Sequence, residues 1–249
     1  DGIFVETTPG LEPSLLGHLD RYLIREDVTL TGLTDTLGEL FVSGPHATAT
    51  LSSLGIQAAQ LEPFGHIQSL VAGNGVRACR VDWFHEPGFL LTTERQHLSK
   101  LWTTVRAAGA TAAGAVAFHA ARMDATFPLH GLDISEDNLA QEANRTEQAI
   151  SFTKGCYLGQ EPIARIDSIG HINRALCSLR FAGDAIPQPQ DMVLAADDSQ
   201  VGQITSAVTV PGEDYGLALV LLKTSASKPD TKLRIQHQGK AIEAQVTGP

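Results

Sequence analysis

Residues 154–165 read Lys-Gly-Cys-Tyr-Leu-Gly-Gln-Glu-Pro-Ile-Ala-Arg, a thiol set among cationic, anionic and amide side chains with glycines on either side. A thiolate is both a nucleophile and a metal ligand, and a nearby cation and the free N–H groups of a helix N-terminus favour its formation. Lys154 supplies the cation, and the run after Gly159 reads as the helix start. Pro162 is tolerated in a first helical turn, where its missing N–H is no loss, and Glu161 suits the positive end of the dipole. Cys156 then falls in the loop that feeds this helix. Glu161 and Arg165 stand i,i+4, so they can pair on one face, worth about 0.2–0.5 kcal/mol when exposed, or offer a carboxylate and a guanidinium together to a polar ligand. Gly155 and Gly159 permit a positive φ or the close approach of another backbone. The same residues also fit a buried Cys in an ordinary Gly-rich turn, since free Cys is among the most buried residue types.

Three regions position this segment. From 1 to 86 the pattern is α+β: a strand near 2–6, a helix over 11–24 carrying Leu11, Leu15, Leu19 and Leu23, strands at 28–32 and 39–43, a helix at 45–54, and strands at 67–71 and 76–83. From 87 to 172 come a strand at 88–93, helices over 94–108 and 113–124, an irregular stretch from 123 to 152, and the helix after Gly159. Loops of that length within a domain are usually functional or disordered. From 173 to 249 the helical signal vanishes, and strands at 174–182, 191–195, 200–208, 215–222, 232–236 and 239–246 alternate with Gly, Pro, Asp and Ser clusters. That tail predicts a small antiparallel barrel or sandwich.

Composition narrows the class. A hydrophobic content of 43% and a charged content of 18% over 249 residues suit a globular chain with real cores. The net charge of −10 argues against nonspecific nucleic-acid binding, which needs an excess of Lys and Arg. Three cysteines, Cys79, Cys156 and Cys177, are too few and too odd in number for a disulfide framework, which fits a reducing, cytoplasmic setting. No Cys-x-x-Cys or His-x-x-x-His spacing suggests a metal site; His18, His46, His66, His85, His97, His119 and His237 fall in no ligand spacing, and His171, just after the helix, stands where it can line the site. The longest apolar run, 107–121, is Ala- and Gly-rich and falls short of the roughly 20 residues that span a bilayer. No membrane association is expected.

The string KGCYLGQEPIAR resembles the signature of the YgfZ family, folate-binding proteins related to the aminomethyltransferase (T-protein) of the glycine cleavage system and to a mitochondrial iron–sulfur assembly factor. The likeness extends through Arg122-Met123-Asp124, Gly131-Leu132-Asp133-Ile134, Gln141-Glu142-Ala143-Asn144, Gly170-His171-Ile172-Asn173-Arg174 and Val201-Gly202-Gln203-Ile204. It implies an α+β tetrahydrofolate-binding fold with a C-terminal antiparallel β-barrel. It also implies that Glu142 binds the pterin, whose adjacent ring N–H and amino group suit a carboxylate. Asp133, Tyr157, Gln160 and Glu161 are expected around the folate. An Asx-turn or capping role fits Asp133 as well. Members of the family carry a further N-terminal stretch, so a chain opening at Asp1-Gly2-Ile3-Phe4 is expected to be a trimmed form.

Departures from the transferase pattern shape the functional expectation. The alignment places Glu6 where the transferases have an Asn and Ser14 where they have a catalytic Asp, and serine cannot hold that negative charge. His130 replaces a common Tyr, and the transferases lack the Lys-Gly-Cys thiol. The resemblance therefore implies iron–sulfur cluster assembly or repair, with an indirect effect on tRNA modification. In that reading Cys156 is the reactive thiol, Lys154 stabilises its thiolate, and Arg165 with Glu161 forms a fixed polar pair. Clusters usually take four thiolates, so any transient cluster would need thiols of client or assembly partners. The alternatives are a folate-dependent aminomethyltransferase or demethylase, and a non-catalytic folate sensor.

Overall fold

In the computed structural model, which describes residues 2–183 and 185–248, the chain forms two units, residues 1–112 and 113–249. The first contains, in order, α1 (Glu12–Asp20), β1 (Leu37–Ser43), α2 (Ala47–Ser53), β2 (His66–Val71), β3 (Asn74–Arg80), β4 (Gly88–Glu94) and α3 (Leu98–Ala107). Its antiparallel sheet runs β1-β4-β3-β2. The β2–β3 hairpin closes through Ala72 and Gly73, both with positive φ, the conformation that matches strand twist in two-residue turns. Alternation then sorts the strands into two faces. Leu40, Val42, Phe89, Leu91, Val76 and Ala78 join Leu51 of α2 and Leu101 and Val105 of α3 in one core. Glu39, Phe41, Leu90, Thr92, Arg77 and Cys79 fall on the opposite face by register.

The strands expected at 2–6 and 28–32 do not form, because no neighbouring strand pairs with either run. The helix expected over 11–24 stops at Asp20. The Glu26 carboxylate accepts the N–H groups of Ile24 and Arg25 at 2.8 and 2.9 Å, so local side-chain bonding replaces the last helical turn. The boundary expected at 86/87 also moves. β4 is hydrogen-bonded between β1 and β3, so a cut there would divide the sheet.

The second unit begins with α4 (Ala115–Asp124). A 3-10 turn at Ala140–Ala143 and the short α5 (Thr146–Ala149) interrupt the stretch expected to be irregular. α6 (Gln160–Ile169) follows the thiol loop. Then come β5 (Arg174–Ala182), β6 (Met192–Leu194), β7 (Gln200–Thr209), β8 (Tyr215–Lys223), β9 (Lys232–His237) and β10 (Lys240–Gly248). They close an antiparallel barrel in the order β10-β5-β8-β7-β6-β9, as the tail of the sequence predicts. Leu179, Phe181, Val193, Ile204, Val220, Leu222, Ile235 and Val246 fill its core. Each fully buried aliphatic or Phe side chain of this kind contributes about 1.5–3 kcal/mol. Gly216 faces the Phe181 ring so closely that a Cβ there would collide with it. Met123 of α4 packs on the barrel with Leu176, Val208, Leu217 and Leu219. Among the described residues, no helix is long and apolar enough to cross a membrane.

Candidate functional site

The expected site residues all fall in the second unit, on the loop after α4, the 3-10 turn, the thiol loop and α6. Glu142 lies in that turn, 5% exposed, and its two oxygens are used differently. Oε1 accepts Arg174 Nε at 2.8 Å, while Oε2 accepts Asn138 Nδ2 at 3.0 Å and the Leu139 N–H at 3.3 Å. Burial opposes the charge on Glu142, but the hydrogen bonds from Arg174 and Asn138 outweigh it and hold the carboxyl below the usual carboxylate range. The same contact pushes Arg174 up. Glu142 is thus an ionised carboxylate on a fixed backbone, with a half-exposed guanidinium beside it. Gln141, beside it in the turn, donates Nε2 to the Ile163 carbonyl of α6 at 3.0 Å, and its buried Oε1 has no hydrogen-bond partner among the described residues.

Asp133 does different work. It is 3% exposed and accepts Arg122 Nη1 at 2.7 Å, the Leu129 N–H at 2.9 Å, Thr205 Oγ1 at 2.7 Å and the Ser206 hydroxyl. A carboxylate has about four acceptor positions, so these donors fill it. The register shift in β7 between Ile204 and Ser206 is what turns both neighbouring hydroxyls toward it. Arg122, fully buried, also donates to Ser206 Oγ, to the Phe127 carbonyl and to His119 Nδ1. Asp133 is therefore a buried tie between loop and barrel, the supporting role that its Asx-turn reading approached and not a free group for folate.

The thiol loop is built as expected at its start. Gly159 takes the helix N-cap with φ 81, and Gln160 reaches back to accept the Tyr157 N–H at 3.1 Å. Pro162 sits in the first turn of α6, and Cys156 is exposed ahead of it. Two details differ. The Lys154 ammonium lies 4.4 Å from the centre of the Tyr157 ring, a cation–π contact, so that ring engages the charge expected to serve the thiolate. Among the described residues no ion pair joins Glu161 to Arg165, both of which are exposed on α6. An exposed pair gains too little to hold two long side chains in one geometry. His171 is exposed beyond the end of α6.

Sequence reasoning gave no role to Arg174, Gln141 or Arg122. Arg174 and Arg122 stand within the family-like segments, but their acidic partners Glu142 and Asp133 lie 32 and 11 residues away, outside any local helix or turn spacing. In the first unit, Glu6 lines a cavity together with Glu39, a carboxylate not singled out from the sequence, whereas Ser14 does not line it.

The family model described as "GCVT N-terminal domain" matches residues 1–154. The one described as "Glycine cleavage T-protein C-terminal barrel domain" matches residues 174–249. Aminomethyltransferase of Mycobacterium tuberculosis (strain ATCC 25618 / H37Rv) is 29% identical over 227 residues, covering 89% of this chain and 61% of that protein. Aminomethyltransferase of Nostoc sp. (strain PCC 7120 / SAG 25.82 / UTEX 2576) is 27% identical over 233 residues, covering 93% and 60%. The chain thus spans about three fifths of the length of these curated relatives. Glycine cleavage system aminomethyltransferase T from Bartonella henselae, a crystal structure, shares the fold with a TM-score of 0.79 at 18% identity, covering 96% of this chain and 65% of that one. Its mixed α+β body, its closed six-stranded barrel and the family match over more than half its length establish that this chain belongs to the glycine cleavage T-protein family.

Proposed function

We propose that this chain binds tetrahydrofolate at the turn bearing Glu142 and acts, in the manner of the YgfZ branch, in iron–sulfur cluster assembly or repair, with tRNA modification affected through cluster-containing enzymes. The observation that carries the folate part is the ionised, fixed carboxylate of Glu142. Three donors occupy it, leaving acceptor capacity for a pterin N–H, and the unpartnered Gln141 Oε1 on the same turn offers a second acceptor. When bound, tetrahydrofolate supplies nitrogens able to carry a one-carbon unit. Tyr157, Gln160 and Glu161 stand on the loop and helix that Gln141 ties to the turn, which suits them to border the ligand. Arg165, exposed on α6, suits contact with a partner in place of a fixed pair with Glu161.

Cys156 supports the cluster part through its exposure and its place before a helix N-terminus. One thiol cannot hold a cluster, so client or assembly proteins supply the remaining ligands. A cytoplasmic location accompanies this reading.

The names of the relatives favour a second reading, folate-dependent aminomethyl transfer. Ser14, aligned with the catalytic Asp, speaks against it. A folate sensor without chemistry is the third. Titrating tetrahydrofolate against the intact and Cys156→Ala proteins, and scoring rescue of cluster enzymes in a strain lacking the gene, separates them. The first reading expects unchanged folate affinity and lost rescue in Cys156→Ala. Full rescue by that variant removes the cluster role, turnover of folate with an aminomethyl donor establishes the second reading, and absence of folate binding overturns all three.

A further inference from the structure

The first unit carries a cavity of about 340 Å³ on the face of the sheet away from its core. The N-terminal segment lies over that face, with the Arg77 guanidinium 3.9 Å from the centre of the Phe4 ring. Leu15, Leu16, Leu30 and Leu37 give the cavity apolar walls, and Glu6 and Glu39 bring two carboxylates to it. Glu39 is held by Thr92, its cross-strand neighbour, whose hydroxyl donates to Oε1 at 2.7 Å. Glu12 also lines the cavity, and its Oε2 accepts the N–H groups of Leu33 and Thr34 and the Thr34 hydroxyl, which tie it to that turn. Among the described residues no ion pair neutralises Glu6 or Glu39, and Arg77 stacks on Phe4 without pairing to either. The volume suits a small molecule, since ligand pockets begin at about 300 Å³. Two carboxylates with no cation between them, beside an apolar wall, are complementary to one kind of guest.

We infer that this cavity binds a small ligand consisting of an ammonium group on an apolar body, with Glu6 and Glu39 taking the ammonium and the leucine wall taking the body. The site uses none of the residues that the folate reading gathers around the Glu142 turn, although the alignment places Glu6 where the transferases have an Asn. Burial, and after it the charge of Glu39, pushes the Glu6 carboxyl up to about 7. The other groups that face it are Arg77 and Cys79 from β3 and the hydrogen-bonded Glu12 from α1, and the Cys79 thiol is itself pushed up by burial and by Glu6. The Glu6 carboxyl is therefore partly protonated near neutrality, and an ammonium guest favours its ionised form.

Calorimetric titration of the intact chain with hexylamine, and with 1-hexanol as the uncharged probe, tests this. Hexylamine is expected to bind about tenfold more tightly at pH 8 than at pH 6, because ionisation of Glu6 spans that interval. It should release protons in the lower range, and hexanol should bind more weakly and without pH dependence. Glu6→Gln and Glu39→Gln keep the side-chain shape and should each weaken hexylamine binding and flatten its dependence between those pH values. Leu16→Phe keeps both carboxylates, narrows the apolar part of the cavity, and should weaken binding of both probes. Hexanol binding as tightly as hexylamine overturns the inference, as do unchanged affinities in both Gln variants or the absence of saturable binding up to about 10 mM.

Discussion

Glu142 and Arg174 show how one residue pair joins a fold to a site. The carboxylate is nearly buried at 6% side-chain exposure, whereas its partner remains 45% exposed, so the pair belongs to neither extreme of ion-pair energetics. Arg174→Met should lower stability by about 1 kcal/mol, the value of a charge-assisted hydrogen bond discounted for solvent screening. The pH dependence has a definite sign. The folded carboxyl sits below its ordinary value of 4.5, so the native state binds fewer protons there than the unfolded one. The stabilisation is fully present above that value and is lost as the pH falls through the lower folded one. Denaturant titrations of the intact and Arg174→Met proteins should differ most at neutral pH and converge in acid. A constant difference at all pH values would mean that Arg174 acts through contacts other than its charge. In the same variant tetrahydrofolate affinity should change, because the orientation of Glu142 depends on Arg174.

At the scale of elements, the loop after α4 is fixed to the barrel by the buried Arg122–Asp133 pair and the two hydroxyls of the β7 irregularity. Asp133→Ala leaves Arg122 buried and uncompensated, which costs about 3–5 kcal/mol. Thermal unfolding should show that loss directly, and Asp133→Ala/Arg122→Met should recover part of it, since the orphaned charge is then gone. A stable Asp133→Ala protein that only lost folate binding would return Asp133 to the ligand. The barrel strands were legible because each is a short β-prone run bounded by turn residues, alternating in β7 and β9 and nearly continuously apolar in β8. The runs at 2–6 and 28–32 have the same local preference but lack a partner strand, and strand formation is decided by pairing rather than by propensity. The thiol loop was legible because Gly159, Gln160 and Pro162 act within a few residues of one another. Arg122, Arg174 and Glu39 were not, because their partners come from distant segments brought together only by the barrel or the sheet.

At the scale of the whole chain, family pattern and folded unit do not share their boundaries. The N-terminal family match runs to residue 154, yet the first unit closes at 112, so the match crosses into the segment that carries Arg122, Asp133 and Glu142. The connection lies between the end of α3 at Ala107 and the start of α4 at Ala115, where residues 111–114 are exposed and outside any helix or strand. Exposed connections of small residues between units are preferred sites of proteolytic nicking. Elastase, which cuts after small aliphatic residues, should cleave first at Ala112 or Ala113 in the native chain and leave fragments ending and starting there. The loop before α6 is also exposed, but residues 151–159 contain no Ala, Val, Leu or Ile other than Leu158, so it offers this protease little. Mass spectrometry of the earliest fragments checks the outcome. First cleavage near residue 86 would instead favour the boundary expected from the sequence, and would require that β4 leave the sheet in which it lies between β1 and β3.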